Sequence, residues 1–489
     1  MNPVGPHRPA APLRRSPNVA QAVLLAGTAA QFAIALLITV YLARALSAAA
    51  FGFFSLVGTI FILSRKFLDL GLSSVAAREI TREPQRERPI LEGLMAYRRV
   101  AGLVLAFALL VFAVFQQDTT ERYVLLAAGA VLLFNEPAAL DSVFQVRQAQ
   151  AGPALLNILG SLLVLGGSVV MMRFHSSGAS FAWLLVLREA FLLLLTLVLA
   201  DHLLGYRPRP GFRGRALKAF FAPGLVFGLA SLIYTIYFHC DVLLVYALRG
   251  KEELGAYAAA YRPINPLLML PWLLVVPMIP VFAAAAKTDS NKFVLQVRSA
   301  CSLALGLGSC AAVAGALLAP DMVQLLYRGR YLEGPLSCVG AFRWLAIALG
   351  AACLTNVLAA SLLAHGNEKT LLWIGGAALV LNVAFNLVVL HYHNFTTAAV
   401  ATALTELLYL VCAVFAFQVV TGRGALRLGS LLYLLPAAVM GMILALMGGA
   451  PAVRVCSGIV LGVLAVAAMM FSSGARRFRA EMARSSPEF

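Results

Sequence analysis

Fourteen apolar stretches of about twenty residues follow one another along this chain, at 19–46, 49–74, 95–116, 122–146, 153–173, 178–203, 217–247, 254–284, 293–319, 336–364, 369–390, 395–420, 427–448 and 452–473. About twenty apolar residues wound as an α-helix cross a hydrocarbon layer roughly 30 Å thick. Inside lipid the backbone has no water to bond, which leaves helices or closed barrels. These runs are continuous rather than alternating, so the reading is an all-α polytopic membrane protein. Composition agrees: 61% of the 489 residues are hydrophobic and 12% are charged, where a soluble domain carries about 25%. The first run is longer than the roughly 7–15 apolar residues of a secretory signal, so it reads as a retained span. Kinks are expected in the proline-broken stretch PINPLLMLPWLLVVPMIP, residues 263–280.

Basic residues test this division, because cytoplasmic loops are enriched in Lys and Arg. Of the 38, 25 fall on one side, Arg98 and Arg99 among them. Eight fall on the other, and five (Arg65, Lys66, Arg188, Arg262, Arg343) stay inside spans. An incorrect span count would scramble the asymmetry. Both termini are therefore expected in the cytoplasm, and the net charge of +17 is mostly topology. No connecting segment is long enough to fold alone as a nucleic-acid-binding surface. The longest polar stretches, about 75–94 and 204–218, suit contact with anionic lipid headgroups. Seven cysteines without a CxxC pair read as packing residues, and no disulfide or metal framework is expected.

Two faint echoes point to internal duplication. ALSAAAFGFF (45–54) resembles ALRGKEELGAY (247–257), and Ala182 and Glu189 align with Ala399 and Glu406. They favour an N-lobe of six spans (19–203), a basic linker (204–216), a C-lobe of six spans (217–420), and two appended spans (421–473). Tails 1–18 and 474–489 flank them. Parallel repeats with a site between them are a transporter architecture.

Charges inside the spans carry the functional signal. FILSRKFLDLGLSS (61–74) puts Arg65, Lys66 and Asp69 in one apolar helix, where each such group costs about 2.5–3.5 kcal/mol at mid-membrane. Arg65 and Asp69 are four apart and share a face with Ser73. One reading is a structural ion pair. The other is a wet cavity, favoured because further charges lie in both proposed halves: Glu136, Asp141, Arg188, Glu189, Asp241, Arg262 and Glu406. Cations there would hold an anionic group, and buried carboxylates would exchange a proton or bind sodium. Asp241 with its neighbour His239 is equally consistent with coupling and with hydrogen bonding. Arg262 in YRPINP favours a cavity role, whereas Arg343 is close enough to a span end to snorkel. Glu406 is also placed to bond Thr402 or Thr405. The pair His391 and His393 reads as solvated loop histidines rather than metal ligands.

YLARALSAAAFGFFSLVGTI and FLDLGLSSVAAREI, with FHCDVLLVYALRGKEELGAYAAAYRPINPLLMLP, LLYRGRYLEG, LLAHGNEKT and TTAAVATALTELLYL, carry a resemblance over about residues 20–420. In order and spacing they resemble the polysaccharide (O-antigen type) flippases of the multidrug/oligosaccharidyl-lipid/polysaccharide exporter superfamily. The resemblance implies fourteen helices, two six-helix lobes and alternating access without ATP hydrolysis. It implies a polyprenyl-pyrophosphate-linked oligosaccharide as cargo for surface polysaccharide synthesis, and suits a polymerase or export machinery as partner. A pyrophosphate suits Arg forks, so Arg65 and Lys66 are the expected headgroup ligands, with Arg188 or Arg262 assisting. Asp241, Glu189, Glu406 and Asp69 are the candidates for coupling to protons or sodium. The rivals are a multidrug exporter, an exporter of peptidoglycan precursor, and a polytopic glycan polymerase or ligase. With no P-loop, HExxH or Ser-His-Asp pattern in view, neither hydrolytic chemistry nor a cofactor is expected.

Overall fold

The computed structural model describes residues 17–134, 136–147, 149–174, 178–204, 210–211, 214–268, 275 and 278–471. Helix is the regular structure throughout, and no strand occurs among the described residues. Large apolar side chains such as Phe107, Trp373, Val411 and Leu446 stand exposed along the helices. Water would not tolerate so much apolar surface, and lipid does. Among the described residues, eleven helices are long and apolar enough to cross a membrane. The chain is thus a multi-pass membrane protein.

Two compact units, Met1–Thr235 and Ile236–Phe489, divide it. The first contains α1 (Pro17–Ala45), α2 (Ala48–Asp69), α3 (Leu72–Arg82), α4 (Glu87–Val114), α5 (Thr119–Leu132), α6 (Asp141–Val146), α7 (Ala151–Arg173) and α8 (Ala182–Leu204). The division falls inside α9 (Gly214–Ile264), which leaves helical geometry at Gly250, where φ is +81°. Contacts between residues 237–241 and 257–261 show that α9 doubles back there, so it supplies spans 7 and 8. The second unit continues with α10 (Met278–Thr288), α11 (Ser290–Leu317), α12 (Ala319–Tyr327), α13 (Val339–Ala364), α14 (Glu368–Tyr392), α15 (Thr396–Thr421), α16 (Leu435–Leu446) and α17 (Pro451–Phe471).

In the first unit α1 packs on α7, α4 on α5, and α7 on α8. In the second, α13 lies between α11 and α15, while α16 and α17 pack against α11. Small residues allow the closest crossing: a Cβ at Gly308 would collide with the Gly350 carbonyl oxygen, the close backbone approach that small residues permit in membranes. The break anticipated at Pro263 is present, and span 4 adds one that was not anticipated. Helix gives way to a tight 3₁₀ turn at Asn265–Leu268 after Pro263, and span 4 is interrupted by another at Glu136–Ala139. The terminal tails and most of 269–277 lie outside the described residues, as does the Glu136 side chain.

Span 2 corrects the sequence reading. Its helix stops at Asp69, because Leu70 (φ 39°) and Gly71 (φ 72°) are left-handed. That conformation costs a leucine about 1–2 kcal/mol. The chain then resumes as α3, which buries Leu72, Val75, Ala76 and Ile80 and turns Arg78 and Arg82 outward. Three- and four-residue spacing of those apolar positions makes α3 amphipathic. The stretch expected as a polar loop over 75–94 is therefore helix to Arg82, and span 3 begins at Glu87 rather than near 95. Against the break sits Gly228 of α9, where a Cβ would run into the Leu70 carbonyl. Overpacking of this kind costs about 1–3 kcal/mol. Gly228→Val is therefore expected to lower the thermal unfolding midpoint of the detergent-purified protein. An unchanged midpoint would show that α2 and α9 do not meet there.

Candidate functional site

The first unit gathers charge around the end of α2. Asp69 closes that helix and forms an ion pair with Arg98 of α4. Ser73 Oγ donates to Asp69 Oδ1 at 2.5 Å, and Arg98 Nη2 donates to Ser73 Oγ at 2.8 Å. Arg98 is 3% exposed. Sequence reading assigned it to a cytoplasmic loop, because the Tyr-Arg-Arg run sits at the edge of an apolar stretch. The earlier start of α4 carries it three turns into the helix instead.

From α8, Arg188 pairs with Glu189 and donates through Nη2 to Asn157 Oδ1 of α7 at 3.0 Å. Asp141, at the start of α6, feels Arg65, Arg98, Asp69 and Glu189 together. Arg65 also acts on Arg98 and Arg188. One connected field thus spans α2, α4, α6 and α8.

Within it the cations divide into two kinds. Arg98 and Arg188 are each neutralised by a carboxylate. Arg65 has no carboxylate partner among the described residues; its guanidinium lies over the Phe61 ring, 5.5 Å from the centroid. Lys66 is exposed and donates through Nζ to Ser231 Oγ at 3.3 Å. The Arg65–Asp69 pair, the less favoured of the two sequence readings, does not form, and Asp69 pairs with Arg98 instead. Two adjacent cations therefore keep their charge available, on a helix whose nearby carboxylates Asp69 and Glu189 are already paired.

The second unit holds a different arrangement. Asp241 is 2% exposed and Glu406 is 4% exposed, and neither has an ion pair among the described residues. Asp241 accepts from the Tyr257 hydroxyl and, at 2.8 Å, from the Val242 N–H. Glu406 accepts from Tyr237 at 3.1 Å. An amide links the residues next to them in sequence: Cys240 Sγ donates to Asn382 Oδ1 at 3.4 Å, and Asn382 Nδ2 donates to Thr405 Oγ1 at 2.9 Å. Asn386 Nδ2 reaches Asn382 Oδ1 at 3.0 Å, while its own Oδ1 is buried with no donor among the described residues.

Arg262 belongs to this unit, half-buried beside His239, Tyr261 and Tyr327. Arg343 is exposed and donates to the Ala316 carbonyl at 3.2 Å, as snorkelling requires. Sequence reading missed Asn382 and Asn386. Their four-residue spacing inside an apolar helix was the available signal, since polar amides in a span need a buried partner.

Comparison with known proteins fits this architecture. The family described as "Polysaccharide biosynthesis protein" matches residues 21–286, more than half of the chain. No curated protein sequence matches. Among solved structures the chain is similar to a lipid II flippase, MurJ, in an inward closed conformation, with 13% identity and a TM-score of 0.74, covering 92% of this chain and 99% of that one. It is also similar to an inward-facing multidrug resistance MATE family transporter of the MOP superfamily, with 17% identity, a TM-score of 0.57, and coverage of 82% and 98%. A MOP superfamily transporter from Pyrococcus furiosus, described as having a binding pocket of reverse polarity, is similar at 15% identity and a TM-score of 0.57, covering 82% of this chain and 96% of that one. At these identities the likeness establishes the fold alone, and the family match, over more than half of the residues, establishes membership: the chain belongs to the polysaccharide biosynthesis protein family.

Proposed function

We propose that the protein is a flippase. It moves a polyprenyl-pyrophosphate-linked oligosaccharide from the cytoplasmic to the outer leaflet of a bacterial inner membrane, by alternating access and without hydrolysing ATP. One observation carries this reading: Arg65 and Lys66 stand side by side with no ion pair among the described residues, while Asp69 and Glu189 are paired with Arg98 and Arg188 and Asp141 is left as the one acid acting on Arg65 through the field. A pyrophosphate is the complementary charge, and a guanidinium fork matches its oxygens. The lipid tail stays in the bilayer while the glycan crosses the polar interior. Arg188 and Arg262 assist as secondary cations, and a surface polysaccharide polymerase takes the delivered product. A pocket for cationic drugs would need acids in excess here, opposite to what the first unit offers.

Coupling is assigned to the second unit. Burying two carboxylates without a cation is costly unless a proton or metal ion joins them. The unsatisfied Asn386 oxygen supplies a further acceptor beside Asn382, which itself bonds Cys240, the residue before Asp241. Asp241 and Glu406 therefore exchange a proton or a sodium ion during the cycle. Asp69 and Glu189, already ion-paired, fill lesser roles.

Reconstitution tests both parts. In proteoliposomes, movement of a lipid-linked oligosaccharide should be accelerated by a sodium or proton gradient. Asp241→Asn and Glu406→Gln should each abolish the acceleration. Movement no faster than in empty vesicles would remove the flippase reading. Full gradient dependence in both variants would move coupling elsewhere. The similarity to a lipid II flippase makes the peptidoglycan precursor the competing cargo, and the same assay with both lipids ranks them.

A further inference from the structure

Three arginines of the second unit meet where span 12 ends and span 13 begins. Asn291, Arg298 and Ser302 are spaced by seven and four residues and so form one stripe along α11. The turn after α15 is fastened along that stripe. Gly422 closes α15 in the left-handed conformation, φ +66°. Arg423 then donates to Asn291 Oδ1, and Arg298 Nε donates to the Gly424 carbonyl at 2.8 Å. Ala425 is wholly buried in the core formed by Phe293, Val297 and Phe417. Ser430 Oγ meets Ser302 Oγ at 2.8 Å and accepts the Arg427 N–H at 3.2 Å.

Pinned at four points, the turn presents Arg423 and Arg427 on either side of Arg298, both exposed. Each acts electrostatically on Arg298. Among the described residues no carboxylate pairs with any of the three. Like charges so fixed repel one another, and an anion would relieve that repulsion.

What continues from the arginines is apolar. Leu428, Leu432, Leu435, Val439, Met442 and Leu446 succeed one another at steps of four and three residues and are all at least half exposed. Leu435, Val439, Met442 and Leu446 share one face of α16, and Leu428 and Leu432 stand exposed on the 3₁₀ turn Leu428–Leu434 that leads into it. The distribution of loop charges puts this end of span 13, with the arginines, at the cytoplasmic surface. A free phosphate would use only the arginines; a phospholipid uses both halves of the surface. We infer that Arg298, Arg423 and Arg427 bind the phosphate of an anionic phospholipid of the cytoplasmic leaflet, whose acyl chains lie along these exposed apolar side chains of span 13.

This site uses none of the residues assigned to transport, so it stands or falls independently of that reading. Native mass spectrometry of the detergent-purified full chain tests it with phosphatidylglycerol, phosphatidylcholine and inorganic phosphate as probes. The expected result is retained phosphatidylglycerol on the natural protein, with weak retention of phosphatidylcholine and none of phosphate. Each arginine near an anionic surface is worth on the order of fivefold in affinity, so Arg423→Gln with Arg427→Gln should weaken retention on the order of 25-fold. Both side chains are exposed, so the double variant folds; an unchanged unfolding midpoint confirms it. Arg82→Gln with Arg86→Gln, which removes two exposed arginines of the other unit, should leave retention unchanged. Equal phosphatidylglycerol binding by the natural protein and the Arg423/Arg427 variant would overturn the proposal. Equal loss in the Arg82/Arg86 variant would do so too, by showing diffuse attraction to basic surface, as would phosphate binding as well as the lipid does.

Discussion

Replacing Arg65 and Lys66 together by alanine should weaken binding of a pyrophosphate-bearing lipid about 100-fold and stop glycan delivery to the cell surface. The magnitude follows from removing two charged donors from the headgroup. A hydrogen bond to a charged group contributes about 1.5–3 kcal/mol, and partial exposure places each one at the lower end. Two of them amount to roughly 3 kcal/mol, or about two decades in affinity. The fold should survive, because neither side chain holds an ion pair among the described residues. Arg65 rests on Phe61 and Lys66 on Ser231, and alanine forfeits only those interactions. Arg65→Lys separates charge from shape: it keeps the cation but loses the two-pronged geometry, and should fall between the natural protein and the double variant. Binding of a polyprenyl-pyrophosphate glycan to the purified protein, with surface glycan followed in cells, measures both effects. Natural affinity in a properly folded double variant would place the headgroup elsewhere. Arg343→Ala is the matching control, since that arginine is exposed and bonded only to a backbone carbonyl.

The fold was legible because lipid enforces it. Continuous apolar runs have one inexpensive conformation in a bilayer, so the helices α7, α13, α14 and α15 begin and end within a few residues of the runs that announced them. Legibility failed where tertiary contacts override local signal. Nothing in the sequence marks Leu70 as the residue that leaves the helix; the left-handed turn is stabilised by what packs on it, including the close approach of Gly228 from about 160 positions away. The same limit applies to the charges. That Arg65 and Lys66 are unusual could be read from hydropathy alone. That Asp69 would choose Arg98 over Arg65 could not, because the two are neighbours only in space. Asp241 and Glu406 were visible as buried acids. Their tyrosine partners Tyr257 and Tyr237 depend on how α9 folds back at Gly250 and where α15 packs.

That choice of partner makes the largest stability effect in the molecule a test of the site's construction. Arg98 is 3% exposed, whereas the Asp69 side chain is 24% exposed, so the two halves of the pair are not equivalent. Asp69→Ala leaves a buried guanidinium with Ser73 as a neutral partner, its Nε already lacking an acceptor among the described residues. An uncompensated buried charge costs about 3–5 kcal/mol. Asp141 also acts on Arg98 and brings the expected loss toward the lower figure. Arg98→Met instead leaves a carboxylate that solvent reaches and that Ser73 still serves, so it should cost less. Removing both together takes away the charge and its counter-charge, and an apolar replacement of similar volume is then close to neutral. The expected order of unfolding midpoints, from lowest to highest, is Asp69→Ala, Arg98→Met, then the double variant near the natural protein. Such a recovery in the double variant is the signature of direct coupling. Additive losses would mean that Asp69 and Arg98 contribute separately, and that the field around Arg65 is not set by their pairing.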